Sequence, residues 1–271
     1  MCSRSRTSTT QTDLAALAED IELLLPESQR IERADLGDCV LLDQTGFPYA
    51  PAAGAHRLRF GEDDVEQRVD EVRRWFGGRG RQEFTWWVGT SATPRDLEDR
   101  LLDLGASPYD DEPVISSMVT TEPPPAVAGI DVRRVTTVEE LRIGREIGWA
   151  SAELTDEQLE SARANLESSW AEREAADNAA MYLAYADGEP VAFGDMIFLP
   201  FAAFLSGAAT KPEHRGHGVY RALVRARWDE AVRRGTPALI IGAGAMSRPI
   251  LERIGFRAVA ETHLLVDRAA G

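Results

Sequence analysis

Leu205-Ser-Gly-Ala-Ala-Thr-Lys-Pro-Glu-His-Arg-Gly-His-Gly-Val-Tyr220 runs on into Arg221-Ala-Leu-Val-Arg-Ala-Arg-Trp-Asp-Glu-Ala-Val-Arg-Arg234. An apolar run ends at Thr210, a polar turn follows, and then Arg215-Gly216-His217-Gly218 leads into a helix. Val219, Tyr220, Leu223, Val224, Trp228, Ala231 and Val232 recur at helical spacing, with Arg221, Arg225, Arg227, Asp229 and Glu230 between them. The stretch therefore reads as strand, glycine turn, amphipathic helix. The first amides of a helix lack internal partners and sit at the positive end of its dipole. Glycines let the main chain come close to a ligand. The combination suits a phosphate or diphosphate, although a plain connection between strand and helix has the same residues.

The order Arg215-Gly-His-Gly-Val-Tyr220 resembles the acyl-CoA loop of the GNAT superfamily of N-acetyltransferases, whose pattern is Gln/Arg-x-x-Gly-x-Gly/Ala. Arg215 and Gly218 match, and Tyr220 stands in place of the final small residue. Ala238-Leu-Ile-Ile241, then Ser247 to Ile254, then Gly255-Phe256 follow in the family's order. The resemblance covers roughly Ile130 to Asp267 and is specific from Leu205 onward. It implies acetyl-CoA as co-substrate, no metal, and an N-acetyltransferase that acts on a primary amine. It also implies that Ala208, Ala209 and Thr210 face the pantetheine arm. The diphosphate would fall to Arg215, Gly216, His217, Gly218, Val219, Tyr220 and Arg221.

Upstream, Phe84 to Val88 and Leu101-x-x-Leu104-Gly105 echo Ala238 to Ile241 and Leu251-x-x-Ile254-Gly255. The expected fold is thus α/β (α+β), two GNAT-like mixed-sheet domains in tandem. The first, degenerate domain covers residues 1–121, its first dozen or so residues disordered. Residues 122–129, with three consecutive prolines, form a linker. The intact domain covers residues 130–271. A capping box at Thr136-x-x-Glu139 opens one helix, and Thr155-x-x-Gln158 opens another with Leu159, Ala162, Leu166 and Trp170 inward. Asp187-Gly188 marks a hairpin. In the first half, Glu62 to Phe76 reads as a helix, His56 to Phe60 as a strand, and Thr93-Pro94 as a capped helix start.

With 271 residues and 44% hydrophobic content the chain can bury a sizeable core. Its net charge of −15 argues against nucleic acid, which needs a basic face. Cys2 and Cys39 form no disulfide framework, so a cytoplasmic location is expected. No apolar stretch is long enough to span a bilayer. The sequence leaves the oligomeric state open, a homodimer included.

The acid and base are where the residues depart from the family. Many members place a tyrosine where Leu251 stands, and others a glutamate on the strand before the loop, where Phe201 to Ser206 holds no carboxylate. Asp195 lies in an apolar strand where desolvation would raise its pKa, unless it is a solvated hairpin carboxylate. Ser247 could serve the leaving thiolate, or simply cap its helix. Glu153, Asp156 and Glu157 could attract a cationic amine, or form a solvated helix face. His214 and His217 lack companions for a metal site; His56 and His263 look structural. Missing acid and base also allow another reading, a non-catalytic acyl-CoA-binding sensor or subunit. Leu239 to Ser247 has the look of a dinucleotide fingerprint with Glu261 downstream, but too little chain follows for a Rossmann sheet.

Overall fold

The structure, a computed structural model, describes residues 11–25, 31–45, 50–151 and 154–270. Cys2, Glu153 and residues 1–10 of the stretch expected to be disordered lie outside them, and the last residues of that stretch, Gln11 and Thr12, open a helix instead. In the first half the elements are α1 (Gln11–Glu19), β1 (Ile31–Asp35), β2 (Val40–Gln44), β3 (Ala53–His56), α2 (Val65–Gly77), β4 (Glu83–Gly89), α3 (Leu97–Asp103), β5 (Ser107–Pro108) and β6 (Val114–Thr120). Then come β7 (Asp131–Arg134), α4 (Val138–Trp149), α5 (Asp156–Ala164), α6 (Leu166–Ala176), β8 (Ala179–Ala186), β9 (Glu189–Phe198) and β10 (Ala203–Thr210). The chain closes with α7 (Val219–Arg233), β11 (Leu239–Ala243), α8 (Arg248–Arg253) and β12 (Arg257–Arg268).

Contacts divide the chain into two compact units that do not follow chain order. The first takes the described residues up to 118, Gly242–Pro249 and residues from 258 on; the second takes Val119–Ile241 and Ile250–Arg257. β12 belongs to the first because it pairs antiparallel with β4, from Thr262↔Gly89 to Arg268↔Glu83. Strands of the first unit run β1-β2-β3-β4-β12-β6, and its core packs Val65, Val69, Val72 and Phe76 of α2 against Phe84, Trp86 and Leu265. His56 is buried beside Trp87, ring centroids 5.0 Å apart, and His263 meets Glu98 at 2.7 Å.

Several local expectations shift. The strand read at His56 to Phe60 is β3, three residues earlier. Thr93 caps no helix: its hydroxyl donates to the Phe60 carbonyl at 3.1 Å, and α3 begins only at Leu97. The helix opened by the Thr155–Gln158 capping box breaks at Asn165 into α5 and α6, so Leu166 is buried while Leu159, Ala162 and Trp170 are only partly so.

The second unit orders its strands β11-β10-β9-β8-β7. Asp187 and Gly188 turn β8 into β9 with φ of 51° and 85°, as a two-residue hairpin requires. Leu141, Ile147, Leu166, Met181, Leu183 and Phe193 make one core under α4 and α6. The capping box of α4 is one residue later than read, Thr137 with Glu140, and Glu140 also takes the Thr136 amide at 2.7 Å. Thr137→Ala should therefore cost about 1 kcal/mol in urea unfolding, the usual worth of an N-cap.

The sequence echo between the halves has a structural counterpart. Gly105 (φ 101°) and Gly255 (φ 100°) end α3 and α8 in the same left-handed conformation. The next amide returns to the same place in each case, Ala106 to Leu101 and Phe256 to Leu251, both at 3.0 Å.

Candidate functional site

β10 pairs with β9 along most of its length, but with β11 only at Ala203↔Leu239 and Phe204↔Ile240. The register then slips between Phe204 and Gly207. Beyond that bulge one edge of β10 has no strand against it among the described residues, and Ser206 and Ala208 are exposed. A parallel pair that parts after two residues leaves a wedge, with main-chain donors and acceptors open to a ligand that pairs as a strand would.

The glycine turn lies at the end of that strand. Pro212–His214 makes a short 3-10 turn, and the Arg215 amide is used by the Pro212 carbonyl at 3.2 Å. The next internal bond is the Ala222 amide to the Gly218 carbonyl at 3.0 Å. Between them, among the described residues, the amides of Gly216 through Arg221 meet no carbonyl of the chain. Gly216 and Gly218 hold φ of 80° and 86°, the left-handed region that glycine enters without strain. A Cβ on Gly218 would meet Arg221 Nη2 at 3.2 Å and Val127 Cγ1 at 3.3 Å. The Arg215 side chain ties the turn to the strand by donating from Nε to the Thr210 carbonyl at 3.2 Å. Arg225 is committed to Asp229 and to the Pro124 carbonyl. His217 is exposed at the tip. Tyr220 is partly buried, and burial pushes its phenol up despite the Arg227 charge.

α7 departs from its simple amphipathic reading. Arg227 and Glu230 lie in the buried stripe, while Val232 is exposed. Arg227 fills the space a side chain would need at Gly194, where a Cβ would lie 2.9 Å from its Cζ. Its Nη1 donates to the Asp195 carbonyl at 2.9 Å and its Nε to the Leu223 carbonyl at 3.1 Å.

Asp195 is buried, but not as the apolar-strand reading supposed. Its carboxylate turns to the opposite face from Gly194, where Arg145 of α4 donates to Oδ2 at 2.6 Å and Arg173 of α6 to Oδ1 at 3.1 Å. Burial alone would raise its pKa; the two guanidinium charges outweigh that and hold it below the ordinary carboxylate value. The expected upward shift is thus reversed. Sequence gave no sign of either partner, since arginines on amphipathic helices usually face water.

Ser247 belongs to the first unit, and its hydroxyl donates to the Gly244 carbonyl at 3.4 Å rather than capping α8. The glycines of the dinucleotide-like stretch face the chain's own carboxylate: Glu112 accepts the Ala245 amide at 3.0 Å and fills the space beside Gly244. Among the described residues no three His, Cys, Asp or Glu side chains converge as a metal site would require. No described helix is long and apolar enough to cross a membrane.

The parallel pair of the first unit differs from β10–β11. β3 and β4 pair at Gly54↔Thr85 and Ala55↔Trp86, and beyond them Thr93 closes the gap. Its amide donates to the Leu58 carbonyl and its carbonyl accepts from the Phe60 amide, both at 3.1 Å. The turn before α2 carries Glu62, Asp63 and Asp64, which would repel an anion from that helix start.

Residues 146–256 match the model of the Acetyltransferase (GNAT) family. The chain carries a GNAT domain. Solved structures extend the fold likeness across both halves of the chain. A GCN5-related N-acetyltransferase from Kribbella flavida aligns with a TM-score of 0.68 at 18% identity, covering 95% of this chain and 96% of that one. A tandem GNAT protein from the clavulanic acid biosynthesis pathway aligns at 0.59 and 14% identity, covering 98% of each. A GCN5-related N-acetyltransferase from Sphaerobacter thermophilus aligns at 0.62 and 18% identity, over 88% and 83%. No curated protein matches the chain. The tandem, mixed-sheet GNAT architecture expected from the sequence is the fold observed.

Proposed function

We propose that this protein moves an acetyl group from acetyl-CoA to a primary amine in the second unit, around β10 and the N-terminus of α7. The observation that carries the reading is the coincidence of an open β10 edge with the unpaired amides of Gly216 through Arg221. In this reading Ala208, Ala209 and Thr210 pair with the pantetheine arm. The turn amides and Arg221 receive the diphosphate, and Arg215 fixes the turn to the strand. Acetyl-CoA, when bound, supplies a thioester carbonyl open to attack by a neutral amine. The β10 main chain at the bulge orients that carbonyl and offers amide donors to the charge that grows on its oxygen. Bringing the two substrates together supplies much of the rate.

The side chains near the wedge offer little acid–base help. Leu251, at the family's tyrosine position, is a fully buried hydrocarbon. Asp195, kept ionised by two arginines, is a weak base. We therefore assign the ammonium proton to water, and give Asp195 a positioning role. The same two facts favour a second reading, an acyl-CoA-binding module without transfer. A cytoplasmic site of action goes with either reading. Cys39 is buried and its thiol pushed up to about 12, mainly by burial, which leaves it unreactive.

Calorimetry with acetyl-CoA and with free CoA tests the shared claim; absence of heat with both removes it. Thiol release with a panel of amines then separates the enzyme from the binder. Because Thr93 closes the gap between β3 and β4, saturation is expected at about one CoA per chain; a second equivalent site would overturn the assignment to the second unit alone.

A further inference from the structure

Met181, Asp195 and Gly207 are cross-strand neighbours on β8, β9 and β10, so their side-chain positions share the face beneath α4 and α6. Asp195 fills the middle of that row. Gly207 leaves its end empty: a Cβ there would meet nothing within 4 Å. An open lane thus leads from the Asp195 carboxylate to the free edge of β10, one strand spacing of about 4.8 Å away.

Two guanidiniums stand over this lane. Arg145 and Arg173 each spend one nitrogen on Asp195, and among the described residues their remaining guanidinium nitrogens make no hydrogen bond. Arg145 lies 6.0 Å over the Phe193 ring, and its side chain keeps 26% of its surface exposed. Arg173 also lines a cavity of about 390 Å³ with Arg134, Trp170 and Met181, rimmed by Glu174 and Asp177. Asp177 is already paired with Arg234. One carboxylate against two guanidiniums leaves a positive charge in excess, within a chain whose net charge is −15. The overall field of such a chain repels anions, so an anionic acceptor would need a local site of this kind.

We propose that the acceptor is a small amine that also carries a carboxylate, and that Arg145 is the residue that selects it. This rests on the acetyl-CoA reading above. The amine reaches the β10 edge over Gly207, and its carboxylate takes the free nitrogens of Arg145, whose planar fork fits two oxygens. A lane of about one strand spacing admits an amino acid whose amine and carboxylate lie a few bonds apart. The same guanidinium disfavours a neighbouring ammonium and so favours the neutral, attacking form of the amine. In the transfer, the amine nitrogen bonds to the acetyl carbon, the carbon–sulfur bond breaks, and the ammonium proton passes to water while the thiolate leaves.

The test compares L-phenylalanine with phenethylamine and β-alanine with ethylamine as acceptors, each rate expressed per free amine. Wild type should favour the carboxylated member by about tenfold or more in kcat/KM, the range of a hydrogen bond to a charged group. In Arg145→Gln the ratio should fall to about one, with Arg145→Lys between. Taking the ratio within one variant cancels any general loss of folding or CoA affinity. A wild-type ratio near one, or a ratio unchanged in Arg145→Gln, overturns the proposal. If no amine is acetylated, CoA-loaded protein is titrated with L-phenylalanine and phenethylamine in a calorimeter. Heat from the amino acid alone supports the site, and heat from neither removes it. Failure of CoA itself to bind is a separate result, and defeats the underlying reading instead.

Discussion

Gly218→Asp is expected to weaken CoA binding by of order 100-fold, with a melting temperature close to that of Gly218→Ala. Gly218 holds φ 86° at the start of α7, and a side chain there meets Arg221 and Val127. Any residue but glycine therefore pays backbone strain of about 1–3 kcal/mol. Alanine carries that cost without charge, so the difference between the two variants isolates electrostatics. A carboxylate about 4 Å from a bound diphosphate opposes it by about 1 kcal/mol per charge pair in water and about 4 kcal/mol near a protein surface, a range that spans the expected 100-fold. It also competes for the amides of Gly216 through Arg221. Equal affinity in the two variants, read by calorimetry, would mean that the diphosphate lies elsewhere.

Asp195→Asn is expected to destabilise the fold by about 3–5 kcal/mol, because it leaves Arg145 and Arg173 side by side without their shared carboxylate. Asparagine keeps the shape and some hydrogen bonding, so the loss reports charge. Acid supplies a second readout. Burial opposes ionisation, but the two arginines hold the folded pKa of Asp195 below its ordinary value of 3.8. Its contribution is therefore complete above that value and disappears as pH falls through the lower folded pKa. Glu140, held low by the Thr136 amide, and Glu146, held low by Arg163, titrate with the same sign. Wild type should lose stability steeply in acid, and the Asp195→Asn curve should be shallower. Parallel curves, or a loss below about 1 kcal/mol in urea, would show that the cluster contributes little.

These variants probe parts of the site that were not equally legible in the residues. The turn was legible because its signals are local: two glycines needing positive φ, an apolar run before them and a helical period after them. The hairpin at Asp187-Gly188 and the helix-ending Gly105 and Gly255 were legible for the same reason. Reading failed wherever a charge was buried. Arg227 and Glu230 fall among apolar neighbours on α7, and periodicity alone places charged residues in water. Each finds partners only in the fold: main-chain carbonyls for Arg227 Nε and Nη1, Arg134 and Arg234 for Glu230, while among the described residues Arg227 Nη2 has no hydrogen-bond partner. The pKa direction of Asp195 is not legible in the residues, because desolvation can be inferred from the strand while Arg145, 50 residues earlier in the chain, cannot.

By itself, then, the sequence determined the strand, the glycine turn and the helix, and the repetition of one α/β plan in two halves. Backbone preferences and hydrophobic period act over a few residues, so they survive in a linear text. Tertiary structure alone decided which wedge stays open, since Thr93 closes one by reaching Leu58 and Phe60 while β10 and β11 part after Phe204. It decided that the last strand joins β4 in the first unit, and that two distant arginines meet on one aspartate. Those outcomes depend on hydrogen bonds and charges between residues far apart in the chain, and their energies exist only once the fold has brought the partners within a few ångströms.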